Sequence, residues 1–432
     1  MSDKLIIEGR SKLEGVIDVK GSKNAATPII AGTLLTSSPC ILENVPFVED
    51  VKAMLEIVKG MGAQVEYIGE NRVKITAKEI DPAKLNFSLV NKMRSSILLV
   101  GPLLARFGYV RMPQPGGCVI GARPIDYHIN AFSKMGVGVE EFGLKKNGER
   151  KSNVYHFTAK KGLRGREVVF DGFSVTGTEN ILMAATLAKG KTVIKIAASE
   201  PHVQDLAVFL KKMGADIKGE GTDTIEIKGK ERLHGAEHAI CYDYIEAGTF
   251  VLLILAARGK VRIENFPVGH LELLLSKLKR FGGKIKIEKN AVVVSPWRNL
   301  TIDKIQAMPY PGIPTDLQAP LGVLSTQAKG LTLIHDPIYE GRLKYLEELN
   351  KMGAEIVSCD PHRAIINGPT KLHGTKLDPL DLRAGAALII AGMIAEGTTI
   401  IRDVSQADRG YEEIDKRLCR IGAKIKRMAN DN

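Results

Sequence analysis

One short pattern recurs six times and limits what the chain can become. "KGMGAQVE" (59–66), "SKMGVGVE" (133–140), "KKMGADIK" (211–218), "KRFGGKIK" (279–286), "NKMGAEIV" (350–357) and "CRIGAKIK" (419–426) share a central glycine. Those glycines are Gly62, Gly136, Gly214, Gly282, Gly353 and Gly422, and they stand 74, 78, 68, 71 and 69 residues apart. Such self-similarity marks one supersecondary unit copied along the chain. Before the first glycine, Val48, Val51, Leu55 and Val58 recur at helical spacing and share one face. Leu271, Leu274, Leu275, Leu278 and Phe281 do the same in the fourth copy. The glycine is placed to end the helix in a left-handed cap. The alternating residues that follow, as in "AQVEYI" and "GKIKIE", predict a strand.

A second marker precedes most of these helices. "LAKGKTVIK" (187–195), "AARGKVRIE" (256–264), "QAKGLTLIH" (327–335) and "IAEGTTIIR" (394–402) each leave an apolar helix through a glycine and enter a strand. "ENILMAATLA", "GTFVLLILAA" and "RAGAALIIAGMIA" are apolar nearly all round, which predicts buried helices. At 432 residues the chain exceeds one ordinary core. Two globes of three copies each are the economical packing, with a boundary near "GAEHAICYDY" (235–244). The opening strand, "KLIIEGR", could pair with either globe. Asn147-Gly148 predicts a hairpin turn.

Composition narrows the function. The longest apolar run, "TFVLLILAA" (249–257), is about half of the ~20 residues a bilayer helix needs. "MSDKLIIEGR" lacks the pattern of a secretory signal. Cys40, Cys118, Cys241, Cys359 and Cys419 are scattered, with no C-x-x-C pair, so a cytoplasmic location is expected rather than a disulfide or zinc framework. The net charge of +12 suits anionic partners. Lysine and arginine are spread along the chain and aromatics are 5%, which disfavours nucleic acid against small phosphorylated or carboxylated substrates. No P-loop, dinucleotide fingerprint or paired-histidine metal motif is present.

Charged residues gather where the apolar helices begin. Lys23 and Asn24 stand before the first, Arg94 at another, Asp316 in the fifth copy, and Asp381 with Arg383 in the sixth. Each alone reads as a cap or ion pair. Together they occupy equivalent positions of successive copies, facing a common cleft. Arg123, Arg342 and Arg409 add guanidinium groups, whose forked donors match carboxylate and phosphate. In "PGGCVIGARP" (115–124) a cysteine follows two glycines, either a reactive thiol on a loop or a small hydrophobe after a turn.

"GSKNAATP", "NKMRSSI", "PGGCVIGARPIDYHI", "PTDLQA", "DLRAGAALIIAG" and "DRGYE", in this order, resemble the enolpyruvyl transferases over essentially the whole chain. The cysteine loop resembles the branch of that family that uses UDP-N-acetylglucosamine. The resemblance implies an α/β (α+β) fold: a two-domain inside-out α/β barrel of six repeated βαβαββ units, three per domain, with buried helices. It assigns 22–240 to the first domain and 1–21 with 241–432 to the second. The implied reaction moves the enolpyruvyl group of phosphoenolpyruvate to the 3′-hydroxyl of UDP-N-acetylglucosamine and releases phosphate, the first committed step of peptidoglycan precursor synthesis. No cofactor or metal is implied, and the partners are those two small molecules, without nucleic acid or membrane.

By the same resemblance, Cys118 protonates the methylene carbon, can form an adduct with phosphoenolpyruvate, and is the target of fosfomycin. Asp316 accepts the sugar hydroxyl proton, and Asp381 sits at the reacting carbons. Lys23, Asn24, Arg123 and Arg409 bind the phosphate side of phosphoenolpyruvate, and Arg342 and Arg383 its carboxylate. Arg94, the run Arg123, Pro124, Ile125, Asp126 and Tyr127, then Ser174, Val175, Asp316 and Ile338, contact the nucleotide sugar. Three positions depart from the family pattern: Tyr244 stands for an arginine, Thr176 for a glycine, and Gly341 for an asparagine.

Overall fold

A computed structural model describes residues 3–116, 121, 124–146, 149–379 and 381–429. The chain divides into two compact units. The middle unit comprises 21–117 and 123–241, and the terminal unit 1–20, 118–122 and 242–432.

Each repeat follows one plan. In the third copy, strand Glu167–Val169 leads to helix Val175–Ala185, strand Lys191–Lys195, helix Pro201–Lys212, and strands Asp216–Lys218 and Thr224–Lys228. This is a βαβαββ unit, and its four strands form one sheet with a parallel pair at one edge. The fifth copy repeats it with Lys304–Gln306, Gln318–Ser325, Gly330–His335, Tyr345–Lys351, Glu355–Asp360 and Arg363–Gly368. One sheet of the middle unit departs, being three-stranded and antiparallel: Tyr109–Pro113, Glu149–Thr158 and Gly138–Lys146. Its hairpin pairs as far as Lys146 with Glu149, while Asn147 and Gly148 lie outside the described residues.

The glycine signature has a backbone cause. Gly62, Gly136, Gly214, Gly282, Gly353 and Gly422 all have positive φ, between 90° and 111°. At Gly282 a β-carbon would also lie 2.1 Å from the Asn299 carbonyl oxygen. Left-handed backbone and close approach together restrict the position to glycine.

The apolar helices form the centre of each unit. All residues of Tyr244–Ala256 are buried, and it touches Gln318–Ser325 and Leu382–Ile394, which also touch each other. In the middle unit the corresponding helices are Lys23–Gly32, Val100–Phe107 and Val175–Ala185. Strands turn alternate residues onto these helices, as in Lys191–Lys195, where Thr192 and Ile194 are buried and Lys191 and Lys195 exposed. Helices inside and sheets outside give the inside-out arrangement.

The opening strand, which the residues alone assign to neither globe, is Asp3–Glu8. It lies between Thr398–Ile401 and Lys424–Ala429, with Leu5 opposite both Ile401 and Arg427. No described helix is long and apolar enough to cross a membrane.

Candidate active site

Two central helices begin later than their apolar runs. Arg94–Leu99 and Thr315–Leu317 are 3₁₀ turns, and the α-helices start at Val100 and Gln318. Pro102 and Pro320 explain this. Proline has no N–H to bond a carbonyl four residues back, so it sits most easily in the first helical turn. The tighter turn before it carries Arg94 in one unit and Asp316 in the other.

In the terminal unit these helix starts hold an ionic cluster. Asp381 caps Leu382–Ile394, its Oδ1 accepting from the N–H groups of Arg383 (2.8 Å) and Ala384 (3.1 Å). Arg383 Nη2 donates to Asp316 Oδ2 at 2.8 Å. Arg342 Nη2 donates to Asp316 Oδ1, and its Nη1 lies 3.6 Å from Asp381 Oδ1. Four predicted residues therefore form one group. Both arginines are nearly inaccessible, at 4% for Arg342 and 2% for Arg383. Burial is the largest single influence and disfavours their charge, but Asp316 with Asp381 at Arg342, and with Tyr411 and Asp243 at Arg383, together outweigh it, and each guanidinium stays above its ordinary range. Arg383 Nε and Nη1 are buried with no hydrogen-bond acceptor among the described residues. Buried donors without acceptors are costly, and an anionic ligand removes that cost. The Tyr411 ring lies beneath Arg383, 5.5 Å from the guanidinium carbon, and its hydroxyl meets Thr249 Oγ1 at 3.0 Å. Arg409 caps the short helix Ser405–Asp408, and Ile338 is 37% exposed.

The helix starts of the middle unit mix charged and neutral groups. Lys23 opens helix Lys23–Gly32 beside Asn24, with Nζ 2.8 Å from Asp50 Oδ2. Arg94 Nη2 donates to the Pro124 carbonyl at 3.0 Å, tying it to the run that contains Ile125, Asp126 and Tyr127. Ile125 is buried, and Asp126 and Tyr127 open helix Asp126–Lys134. Ser174 caps Val175–Ala185, its hydroxyl accepting from Gly177 N–H at 3.1 Å.

Buried His128 joins this second helix. Asn180 Nδ2 donates to Nδ1 at 3.0 Å, so the proton of the neutral ring lies on Nε2 and donates to Thr176 Oγ1 at 3.1 Å. The amide orientation is fixed, because Asn180 Oδ1 accepts from Gly101 N–H at 2.7 Å and Nδ2 also donates to the Ile97 carbonyl at 2.9 Å. Burial, with the nearby Arg94 charge, pushes His128 down to about 3. Beside it, burial and the Glu200 carboxylate push Glu179 well above the usual range.

Cys118 and Arg123 lie outside the described residues. Gly116, just before the cysteine, is packed so that a β-carbon would lie 1.7 Å from the Asn91 carbonyl oxygen. Among the departures, Tyr244 is buried with the rings of His270 and Tyr310 each 6.4 Å away. Gly341 precedes the 3₁₀ turn that carries Arg342, and Thr176 is the hydroxyl facing His128. Sequence reasoning missed Asp50, His128, Asn180, Thr315 and Asp336. A signal existed only for Asp336, an acid directly after the buried strand "LTLIH".

Comparison with known proteins adds four likenesses. The family model described as EPSP synthase (3-phosphoshikimate 1-carboxyvinyltransferase) matches residues 7–418. A UDP-N-acetylglucosamine 1-carboxyvinyltransferase 1 of Caldanaerobacter subterraneus subsp. tengcongensis is 42% identical over 428 residues, covering 99% of this chain and 100% of the relative. A UDP-N-acetylglucosamine 1-carboxyvinyltransferase of Finegoldia magna is 41% identical, covering 96% of both. Among solved structures, the enolpyruvyl transferase NikO from Streptomyces tendae matches over 100% of both chains with a TM-score of 0.88 at 24% identity, a likeness of fold.

Proposed function

The chain belongs to the EPSP synthase family of enolpyruvyl transferases, and from that membership we infer that it moves the enolpyruvyl group of phosphoenolpyruvate to the 3′-hydroxyl of UDP-N-acetylglucosamine and releases phosphate. The acceptor is the one in the names of the relatives that share two fifths of its residues. The reaction serves peptidoglycan precursor synthesis.

The observation that carries the site is Arg383 with two buried donors lacking acceptors, beside Asp316. Arg383 and Arg342 form a clamp for the carboxylate of phosphoenolpyruvate, and Lys23, Asn24, Arg123 and Arg409 take its phosphate. Cations fixed in advance stabilise a phosphate leaving group without reorganising during the step. Cys118 gives a proton to the methylene carbon, and the adjacent carbon becomes oxocarbenium-like. The sugar hydroxyl adds to that carbon while Asp316 takes its proton. Phosphate then departs, and the methyl carbon returns its proton to give the enol ether. Asp381 stands next to this exchange. An arriving carboxylate draws the two guanidinium groups partly away from Asp316, which raises its basicity when substrate is bound. Arg94, the 123–127 run, Ser174, Val175 and Ile338 hold the nucleotide sugar. Among the described residues Cys40, Cys359 and Cys419 form no disulfide, which suits a reducing cytoplasm.

The test is phosphate release from phosphoenolpyruvate with UDP-N-acetylglucosamine, with shikimate 3-phosphate, and with no acceptor. Release is expected with the first only. Release with shikimate 3-phosphate instead would replace the acceptor, and none with either would overturn the reading.

A further inference from the structure

We propose that Asp336 is a positioning residue for this transfer, aligning the base Asp316 and the anion clamp through Thr315 and Arg342. The inference rests on the roles given above to Asp316 and Arg342. Asp336 directly follows strand Gly330–His335 and is completely buried. In four other copies the matching strand ends in a left-handed residue: Asn44, Ile196, Asn265 and Asp403. The fifth copy instead has Asp336 there, outside the left-handed region, and uses both its carboxylate oxygens. Oδ2 accepts the Thr315 hydroxyl at 2.5 Å, and Oδ1 accepts Ile338 N–H at 3.0 Å. Its backbone is pinned too: its N–H donates to the His362 carbonyl at 2.8 Å, and its carbonyl accepts from His362 Nδ1 at 2.7 Å.

The direction of the chain of bonds follows from what each group can donate. An ionised carboxylate only accepts, so the single Thr315 hydroxyl proton points to Asp336. A Thr315 lone pair then faces Arg342 Nε–H at 3.2 Å. Fixing Nε fixes the whole guanidinium plane, because its nitrogens are rigidly joined. That plane aims Nη2 at Asp316 and Nη1 at Asp381. Remote alignment of this kind matters, since a misplacement of about 1 Å can cost about 100-fold in rate.

The test uses Thr315→Val, Thr315→Ser, Asp336→Asn and the Thr315→Val/Asp336→Asn double variant. The amide introduced by Asp336→Asn can donate to Thr315 and turn its proton against Arg342. Thr315→Val breaks the same path and leaves the Ile338 bond in place. Turnover is expected to fall about 10- to 100-fold in both single variants, with Thr315→Ser restoring it and the double variant no worse than Asp336→Asn. Among the described residues, the charged and titratable groups around Asp316 include Arg342, Arg383 and Asp381, with Asp243 and Tyr411 beside Arg383, and Tyr345 and Asp336 beside Arg342. A misaligned Arg342 stabilises the Asp316 carboxylate less, so the acidic limb of the kcat profile moves to higher pH. Wild-type turnover and an unmoved limb in Thr315→Val would overturn the proposal, as would losses in the two single variants that multiply in the double. Calorimetric binding of phosphoenolpyruvate reads the clamp without turnover. A wild type that binds but does not transfer would remove the reaction assigned above, and equal affinity in Thr315→Val would then remove this inference as well.

Discussion

The two units begin their central helices in different chemical languages. In the terminal unit the helix starts carry Asp316, Asp381, Arg342 and Arg383, charges that meet directly, all but Asp316 at buried positions. In the middle unit the helix Val175–Ala185 starts with a hydroxyl cap, and its Thr176 and Asn180 meet a neutral imidazole. The frame is the same: three buried helices, each preceded by a short turn or cap. The difference shows that a repeat fixes where side chains stand, and leaves free which chemistry stands there. Opposed charges suit a small anion and a proton transfer. Fixed neutral donors and acceptors suit a larger polar ligand that must be recognised by shape and hydrogen bonds.

The comparison breaks most visibly at Asp316. Asp316→Ala is expected to lower turnover by about 10²–10⁴-fold at saturating substrate, the usual worth of a positioned base. Unchanged steady-state phosphate release would mean that the charged start is structural. Arg383→Lys keeps the charge and loses the fork. Turnover should drop by about 100-fold with weaker phosphoenolpyruvate binding, and a variant with wild-type kcat and KM would show that a point charge suffices.

The neutral start is sharpened by pH. Native His128 stays unprotonated until about 3, whereas the unfolded chain takes a proton near 6.5. Below 6.5 the unfolded state therefore binds more protons, and stability falls as pH drops towards about 3. Glu179 acts oppositely, because its raised native value lets the folded state take a proton first. Comparing wild type with His128→Gln isolates the histidine. Urea midpoints should show the wild type losing about 1.4 kcal/mol more per pH unit across that window, and parallel curves would contradict a neutral buried ring. The smallest effect is expected at Thr176. Thr176→Val should raise KM for UDP-N-acetylglucosamine a few-fold, by roughly 1 kcal/mol, with kcat unchanged. A change in kcat alone would move Thr176 from recognition to chemistry.

Much of this frame was legible in the chain. The six glycines were readable because their cause is local: each ends a helix in backbone that other residues adopt poorly. The buried helices were readable because apolar residues occupy every face. The helix starts at Arg94 and Asp316 were placed correctly along the chain but expected as α-helix, whereas Pro102 and Pro320 delay the helix and leave a 3₁₀ turn. Partnerships were not legible. Lys23 meets Asp50 across 27 residues, His128 meets Thr176 across 48, and Thr315 meets Asp336 across 21. The first and last of these close within one copy, where elements distant in sequence pack together, and His128 to Thr176 closes between two copies; no local propensity encodes any of them. Thr176 was noticed only as a departure, since its hydroxyl acquires meaning from a ring on the preceding helix.

The placement of the opening strand sets a timetable for synthesis. Asp3–Glu8 leaves the ribosome long before its neighbours, Thr398–Ile401 and Lys424–Ala429. The middle unit has all of its residues once position 241 has emerged, and it can fold while translation continues. The terminal unit must keep Asp3–Glu8 waiting, unpaired and half apolar, until those two late strands are made. Contacts this remote in sequence form slowly. Nascent chains are therefore most exposed to misassembly at this early strand, and trigger points for chaperone capture belong there.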